Sequence, residues 1–597
     1  MEGNNMQYFI HVEWTKKKDI VFKSILTIVL FVISLANIMK LYQPYVLGDE
    51  FGYWSNAAYL AGYDWTQMSV WMGYYAYGYS ILLIPIIKLF GDSVLMYRAA
   101  VVLNAIMLCC SFHLACYCGN TWNKKKYTPQ VPIAAFVTMF YPGSFVNVNV
   151  AWSETIQYML FWMVAVLVVK CVAADVIKIS TIGFMTALAG TSYFVHQRNI
   201  VLLLMEAVFI GYLLRYKRIT SRYILCFVTV LALVLLSGLL MKSYITNRVY
   251  LSADSALYDA NNISGQMGKL QFLLTDIQGI KYLLLNILGR LTYFMVSTFG
   301  ICALVLCFVI RNLKEYYRNN PDVLFIVLCF LGSIAVSSIF MLVPERYDTL
   351  FYGRYSEQYI GPVLFWGLYK IFHARKPLAF NTLMMVIGAM LVCSDFVIAM
   401  MPKELGAPIK IQFIGFIDYI DSGKLVLPKL IFSIKLILLS MVIVLLVRKK
   451  LRKISLSLMV LILSVFWHSK VQPMMELILW QQNLYYQITE IRESVQVCEI
   501  ESEVYCVSNE HYYHDKNMLN MILQYAYMKE TIDVIACDEM SKKGDAIFVQ
   551  YGIGDVNLEE YTVIYRTDNI HGREGMNLFV RTEYADEYEE LREALAQ

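Results

Sequence analysis

Apolar runs, each long enough to cross a hydrocarbon core, recur from residue 24 to residue 468, and they leave this chain few ways to fold other than as a bundle of membrane helices. Of 597 residues 58% are hydrophobic and only 16% charged, too apolar a balance for a soluble enzyme of this size. Orientation follows from where the basic residues fall. Lys16, Lys17, Lys18 and Lys23 precede the first run, which places the N-terminus in the cytoplasm. Lys124–Lys126, Arg215 to Arg222, Arg311 to Arg318, Arg375 with Lys376, and the run RKKLRK (448–453) then fall on the same side. This alternation holds if the apolar piece 77–90, about fourteen residues, lies at the interface without crossing. The tally is roughly thirteen crossings, with the C-terminus outside.

Composition shifts after Lys470. From about residue 495 strand-like pieces (504–507, 547–549, 563–565) alternate with a helical piece (517–528), which reads as a small extracytoplasmic α/β domain. The expected organisation is therefore a membrane domain over 1–470, with outer loops at 42–93 and 344–358, and an α/β domain over 471–597. Most of the thirteen Cys lie inside apolar runs, where Cys acts as a small buried hydrophobe, and Cys498, Cys506 and Cys537 leave room for one disulfide outside. The net charge of +4 gives no reason to expect a nucleic-acid partner.

Two outer loops concentrate the chemistry. The first, GDEFGYWSNAAYLAG (48–62), sets Asp49 and Glu50 among Phe51, Tyr53, Trp54, Tyr59, Trp65, Trp71, Tyr74 and Tyr75. An acidic pair beside a membrane span has the chemistry of a general base with a tuning neighbour, and the aromatics suit both an interface and the faces of sugars. A plain solvated loop is the alternative. The second, PERYDTLFYGRYSEQYIGP (344–362), holds Arg346, Arg354 and Tyr355 among Glu345, Asp348 and Glu357. Two further positions open crossings. Glu154, in WSET, suits either a site carboxylate or a helix N-terminus, and His196-Gln197-Arg198 suits either a site or an interfacial anchor. Glu206, Asp395 and Lys435 are charges inside spans, a pattern often seen along transport pathways.

GDEFGYWSNAAYLAG, YGYSILLIPIIKLFGDSVLMYRAAVVLNA (77–105) and YPGSFVNVNVAWSETIQYMLFW (141–162) together resemble the N-terminal half of GT-C class glycosyltransferases, the class that includes protein O-mannosyltransferases and lipid A aminoarabinose transferases. Asp49-Glu50, the 77–90 segment and Arg98 fall at that class's acidic motif, interfacial helices and second-crossing Arg. Arg354, Tyr355 and Pro362 in YGRYSEQYIGP are similar to its later "RY…P" element. The resemblance spans about residues 20–370.

It implies a GT-C-like membrane enzyme that moves a hexosyl or pentosyl group from a polyprenyl-phosphate donor to a hydroxyl on a glycan, lipid or protein of the cell envelope, at the outer face and with inversion. Position by position, it implies Asp49 as general base with Glu50 supporting it or binding acceptor, and Arg354 with Tyr355 at the donor phosphate. Arg346 and Arg198 are further phosphate candidates. Glu154, Tyr53, Trp54 and His196 are candidates for acceptor or sugar. Asp49 and Glu50 also have the chemistry to hold Mg²⁺ or Mn²⁺, without a recognisable full ligand set. No DxD motif occurs in the chain, which weighs against nucleotide-sugar chemistry. The alternative class is a polytopic lipid-glycan flippase or transporter.

Overall fold

The computed structural model describes residues 14–66, 73–250, 263–343, 346–373, 380–400, 409–447, 452–508, 513–552, 556–567 and 575–596. Trp71, Glu345, Arg375, Lys376 and residues 448–451 lie outside them. The protein is a multi-pass bundle of membrane helices with a small C-terminal α/β domain. Among the described residues seven helices are long and apolar enough to cross a membrane, or nine if each of two bent helix pairs is one span.

Local sequence explains where these helices break. The Ser80–Leu89 helix has ten residues and spans about 15 Å, half a hydrocarbon core, in keeping with the expected non-crossing segment. The run expected to cross at 131–148 bends by 68° between Gln130–Met139 and Pro142–Asn149. Pro142 has no N–H to continue the first helix and opens the second, where its fixed φ is suited. Residues 244 to about 285, which in the sequence read as a long outer loop between two crossings, instead carry the Ile263–Thr275 helix. That helix meets Ile277–Ser297 at 112° across Asp276, whose side chain caps the second helix through the Gln278 N–H at 2.8 Å. The last apolar run is the start of one 46-residue helix, Arg452–Val497, about 69 Å long. The boundary expected near residue 470 therefore falls inside a continuous helix that enters both parts of the molecule.

The C-terminal sheet has five strands in the order Asp533–Ala536, Glu503–Ser508, Ala546–Tyr551, Met576–Arg581, Tyr561–Arg566. The first three are mutually parallel and the last two antiparallel. One face, with Val504, Cys506, Ile547 and Val549, packs on the Tyr513–Ala526 helix and through it on the membrane part. The other face carries Tyr505, Phe548, Met540 and Tyr561. Among the described residues no two cysteines are joined in a disulfide. Cys506 and Cys537 belong to opposite faces of the sheet, so the disulfide allowed by the sequence does not form.

The two parts meet on the Leu47–Ala61 helix. Trp54 and Trp65 pack edge-on against Tyr525 with ring centroids 5.2 and 6.5 Å apart, and Trp65 Nε1 donates to the Met528 carbonyl at 3.0 Å. Arg492, buried in the long helix, pairs with Asp92 at 2.5 Å and donates to Ser93 Oγ at 2.6 Å. Replacing Arg492 with Met strands Asp92 and Ser93 at this seam. Thermal unfolding in detergent is expected to show a loss of about 1–3 kcal/mol for Arg492→Met, and almost none for Glu493→Gln at its exposed neighbour.

Candidate active site

Asp49 sits in the first turn of the Leu47–Ala61 helix, beside a cavity of about 150 Å³, which holds a few waters or a phosphoryl group. Its Oδ1 accepts from the Tyr75 hydroxyl at 2.5 Å. Gly52, one turn along, makes this contact available: a Cβ there would lie 2.1 Å from the Tyr75 ring. Oδ2 pairs with Nη1 of Arg354, the first residue of the Arg354–His373 helix.

From Arg354 the charges run on as a chain. Arg354 Nε donates to Glu154 Oε1 at 2.7 Å, and Arg198 Nη2 donates to the same oxygen at 2.9 Å. The guanidinium of Arg354 lies 3.6 Å from the Trp152 ring centroid, a cation–π stack that fixes its plane. Tyr355 has Arg198 at 4.9 Å and Arg290 at 6.0 Å from its own ring. Arg198, Arg354 and Glu154 are all buried, but Glu154 Oε2 and the Nε and Nη1 of Arg198 have no partner among the described residues. Unspent donors on a buried guanidinium beside a cavity are what an incoming anion needs.

The cavity wall carries three cations (Arg198, Lys269, Arg354) and one carboxylate (Asp49), together with Tyr53, Tyr75, His196 and Tyr355. The cation excess at the wall favours a ligand with one or two negative charges. Burial pushes the Asp49 carboxyl up, but the Arg354 guanidinium, the Tyr75 hydroxyl and the Arg198 charge outweigh it and hold it below the usual carboxylate range. The Tyr75 hydroxyl is raised well above its usual value by burial and then by Asp49, so it donates. Burial, then Arg198 and Arg354, hold His196 well below the usual imidazole range, and it is neutral at pH 7.

Seven of the ten residues singled out in the sequence therefore meet in one place: Asp49, Tyr53, Glu154, His196, Arg198, Arg354 and Tyr355. Tyr53 lines the cavity with its hydroxyl 2.7 Å from Ser153 Oγ. The other three do not reach it. Glu50 is fully buried, and its two oxygens accept from the backbone N–H groups of Tyr45, Val46 and Ala151 and from the Tyr97 hydroxyl, at 2.6, 2.7, 2.6 and 2.8 Å. Glu50 is not among the residues that line the cavity. Trp54 faces the C-terminal domain, so it is no sugar platform here. Arg346 is spent on Asp348 at 2.7 Å and the Tyr352 hydroxyl at 3.0 Å. Asp49 and Glu50 also point to separate partner sets, and they do not fit a shared Mg²⁺ or Mn²⁺ site.

Sequence reasoning passed over Arg290 and Lys269. Arg290 is fully buried in Ile277–Ser297, donating to the Tyr352 carbonyl at 2.7 Å and Ser337 Oγ at 3.2 Å. Lys269 hydrogen-bonds the Phe340 carbonyl at the cavity edge. Glu357 accepts hydrogen bonds from the Tyr293 and Tyr141 hydroxyls.

No protein-family model and no curated protein matches the sequence. Among solved structures, ArnT from Cupriavidus metallidurans bound to undecaprenyl phosphate superposes with a TM-score of 0.50 at 11% identity, covering 94% of this chain and 98% of that one. The apo state of the same ArnT gives 0.48 at 10% identity, over 94% and 97%. The chain has an ArnT-like GT-C fold. At this identity the likeness is one of architecture, and the chemistry rests on the residues above.

Glu50 provides a check on the scaffold. Burial raises its carboxyl to about 7, against hydrogen bonds that favour the ionised form. A folded value above the unfolded one means that its contribution to stability is greatest below the ordinary carboxyl range and is lost as the pH rises through about 7. Glu50→Gln places an NH₂ where, of the four partners, only the Tyr97 hydroxyl can accept from it. The substitution is expected to flatten the dependence of Tm on pH between about 4.5 and about 7, the interval between the ordinary and the folded value, because the amide does not titrate.

Proposed function

We propose that this protein is a glycosyltransferase that moves a sugar from a polyprenyl-phosphate-linked donor to a hydroxyl acceptor at the outer face of the membrane. The observation that carries the reading is the pairing of Asp49 with Arg354 at the wall of a cation-rich cavity, on a GT-C fold. A general base and a phosphate-binding guanidinium are the two groups such a transfer needs, and here they hold each other.

In this reading the donor phosphate takes over Arg354 and the open donors of Arg198, and that exchange releases Asp49. Loss of its guanidinium partner raises the basicity of Asp49 just when substrate is present. The acceptor O–H gives its proton to Asp49 as its oxygen bonds to the anomeric carbon. The bond from that carbon to the phosphate oxygen breaks, and the electron pair leaves on the polyprenyl phosphate, stabilised by Arg354 and Arg198. Attack by the acceptor oxygen from the face opposite the departing phosphate would invert the configuration. Glu154 holds both guanidinium groups in register, Tyr355 stacks between them, and Tyr53 and neutral His196 face the sugar or the acceptor.

An undecaprenyl-phosphate ligand on the ArnT structure supports the donor class by analogy of fold. The N-terminus is cytoplasmic in this arrangement and the C-terminal domain lies outside, on the side of a cell-envelope acceptor. A flippase or transporter would depend on charges within the membrane. Glu206 is buried against Thr186 at 2.6 Å, while Asp395 and Lys435 sit exposed on two other helices.

The test is turnover of a panel of radiolabelled polyprenyl-phosphate sugars by purified protein. Asp49→Asn is expected to lower kcat by about 10³-fold with the donor still bound, because the base is lost and the shape kept. Arg354→Gln should cost about as much and also weaken donor binding. Glu206→Ala should keep near-full transfer. Undiminished transfer in Asp49→Asn would overturn the assignment of the base, and loss of function in Glu206→Ala alone would favour transport.

A further inference from the structure

We propose that the C-terminal domain holds a second ligand site, for a neutral polyhydroxylated sugar, in the crevice over the sheet face that carries Tyr505 and Phe548, running from Ser508 and Gln550 at the carboxyl ends of the parallel strands to Glu560 and Tyr561 at the other end. The Glu503–Ser508 strand lies between Asp533–Ala536 and Ala546–Tyr551. The chain leaves Ser508 toward the Tyr513–Ala526 helix on one face of the sheet. It leaves Ala536 through the Cys537–Lys542 turn on the other, where Met540 packs on Tyr505 and Phe548. Connections that depart in opposite directions leave a crevice between strand ends, the usual ligand position in open α/β sheets.

The crevice is present here, with a volume of about 570 Å³, the size of a mono- or disaccharide site. Its wall includes Ser508, Asp538, Gln550, Asn557, Glu560 and Tyr561. Gln550 is the decisive residue. It follows Ala546 and Phe548 on the same face of its strand, a row that otherwise packs apolar atoms, and it is only 1% exposed. Its side-chain Oε1 has no partner among the described residues. An unsatisfied buried amide oxygen is destabilising unless a ligand donor meets it, and a sugar hydroxyl is such a donor.

The electrostatics select the class. Among the described residues the wall carries two carboxylates, Asp538 and Glu560, and neither Lys nor Arg. Arg581 lies at the border, where it pairs with Glu583 at 3.0 Å and donates to the Ser541 carbonyl. The cation-rich cavity beside Asp49 has the opposite balance, so a phosphate belongs there and not here. Oxygen acceptors suit hydroxyl donors, and the Tyr561 ring supplies the apolar wall on which a sugar face packs. The crevice opens on the face of the sheet that points away from the membrane part, so it is separate from the catalytic cavity. Assigning its occupant to a distal unit of an acceptor glycan rests on the transferase reading; the binding itself does not.

The experiment is saturation-transfer NMR on the full-length protein in an amine-oxide detergent, which carries no sugar headgroup. The probes are glucose, galactose, mannose, N-acetylglucosamine and their β-linked disaccharides. At least one is expected to bind, and to bind Asp49→Asn equally well, which separates this site from catalysis. Gln550→Met, close in volume, and Glu560→Gln, at an exposed position, should each weaken binding by about tenfold. Glu560→Gln keeps the test decisive if Gln550→Met does not fold. No binding by any probe, binding unchanged in both variants, binding lost in Asp49→Asn, or occupancy by Ca²⁺ alone would each overturn the proposal.

Discussion

The ion pair between Asp49 and Arg354 ties together parts of the chain about three hundred residues apart, and the geometry of the site depends on it. A buried guanidinium is costly unless its charge is matched and its donors are used. Arg354 meets that condition with Asp49, Glu154 and the face of Trp152, and Glu154 in turn holds Arg198. Three helices and the turn that leads into a fourth are fixed by this one network. The network is also unfinished. Two nitrogens of Arg198 have no partner among the described residues, and the cavity beside them is the place where an anion would meet them.

Around that network the protein builds in a fixed order of support. Glu50 staples the start of the Leu47–Ala61 helix to the backbone at Tyr45, Val46 and Ala151, so Asp49 enters the cavity from a rigid turn. Gly52 gives Tyr75 the room to reach Asp49. On its far side the same helix is covered by Tyr525 and Met528 of the C-terminal domain. The soluble domain is therefore a structural neighbour of the site helix as well as a separate α/β unit with a crevice of its own.

Much of this was legible in the sequence, for reasons that differ by residue. Asp49, Glu154, Arg198 and Arg354 stand out because charge is rare beside apolar runs and each occurs where a run begins or ends. Asp49 and Glu50 look alike as a dipeptide. They separate only because neighbours on a helix point about 100° apart, and this segment reads as a loop when its aromatics are taken for interface residues. Trp54 diverges from Tyr53 for the same reason. Lys269 was hidden because it lies in a stretch that reads as a long loop, and Arg290 because it falls between that loop and the crossing expected at 291–310, whereas the chain forms two helices hinged at Asp276. The end of the membrane part was blurred by a change in composition that falls within the continuous Arg452–Val497 helix.

The central claim is that a donor phosphate and Asp49 compete for the same guanidinium. Cryo-electron microscopy of the full-length protein with and without undecaprenyl phosphate tests it most directly. The account predicts phosphate oxygens about 3 Å from Arg354 and from the open nitrogens of Arg198, with the Asp49–Arg354 contact broken in the bound state only. A phosphate seated elsewhere, at Arg346 for instance, with the Asp49–Arg354 pair intact in both states, would contradict it.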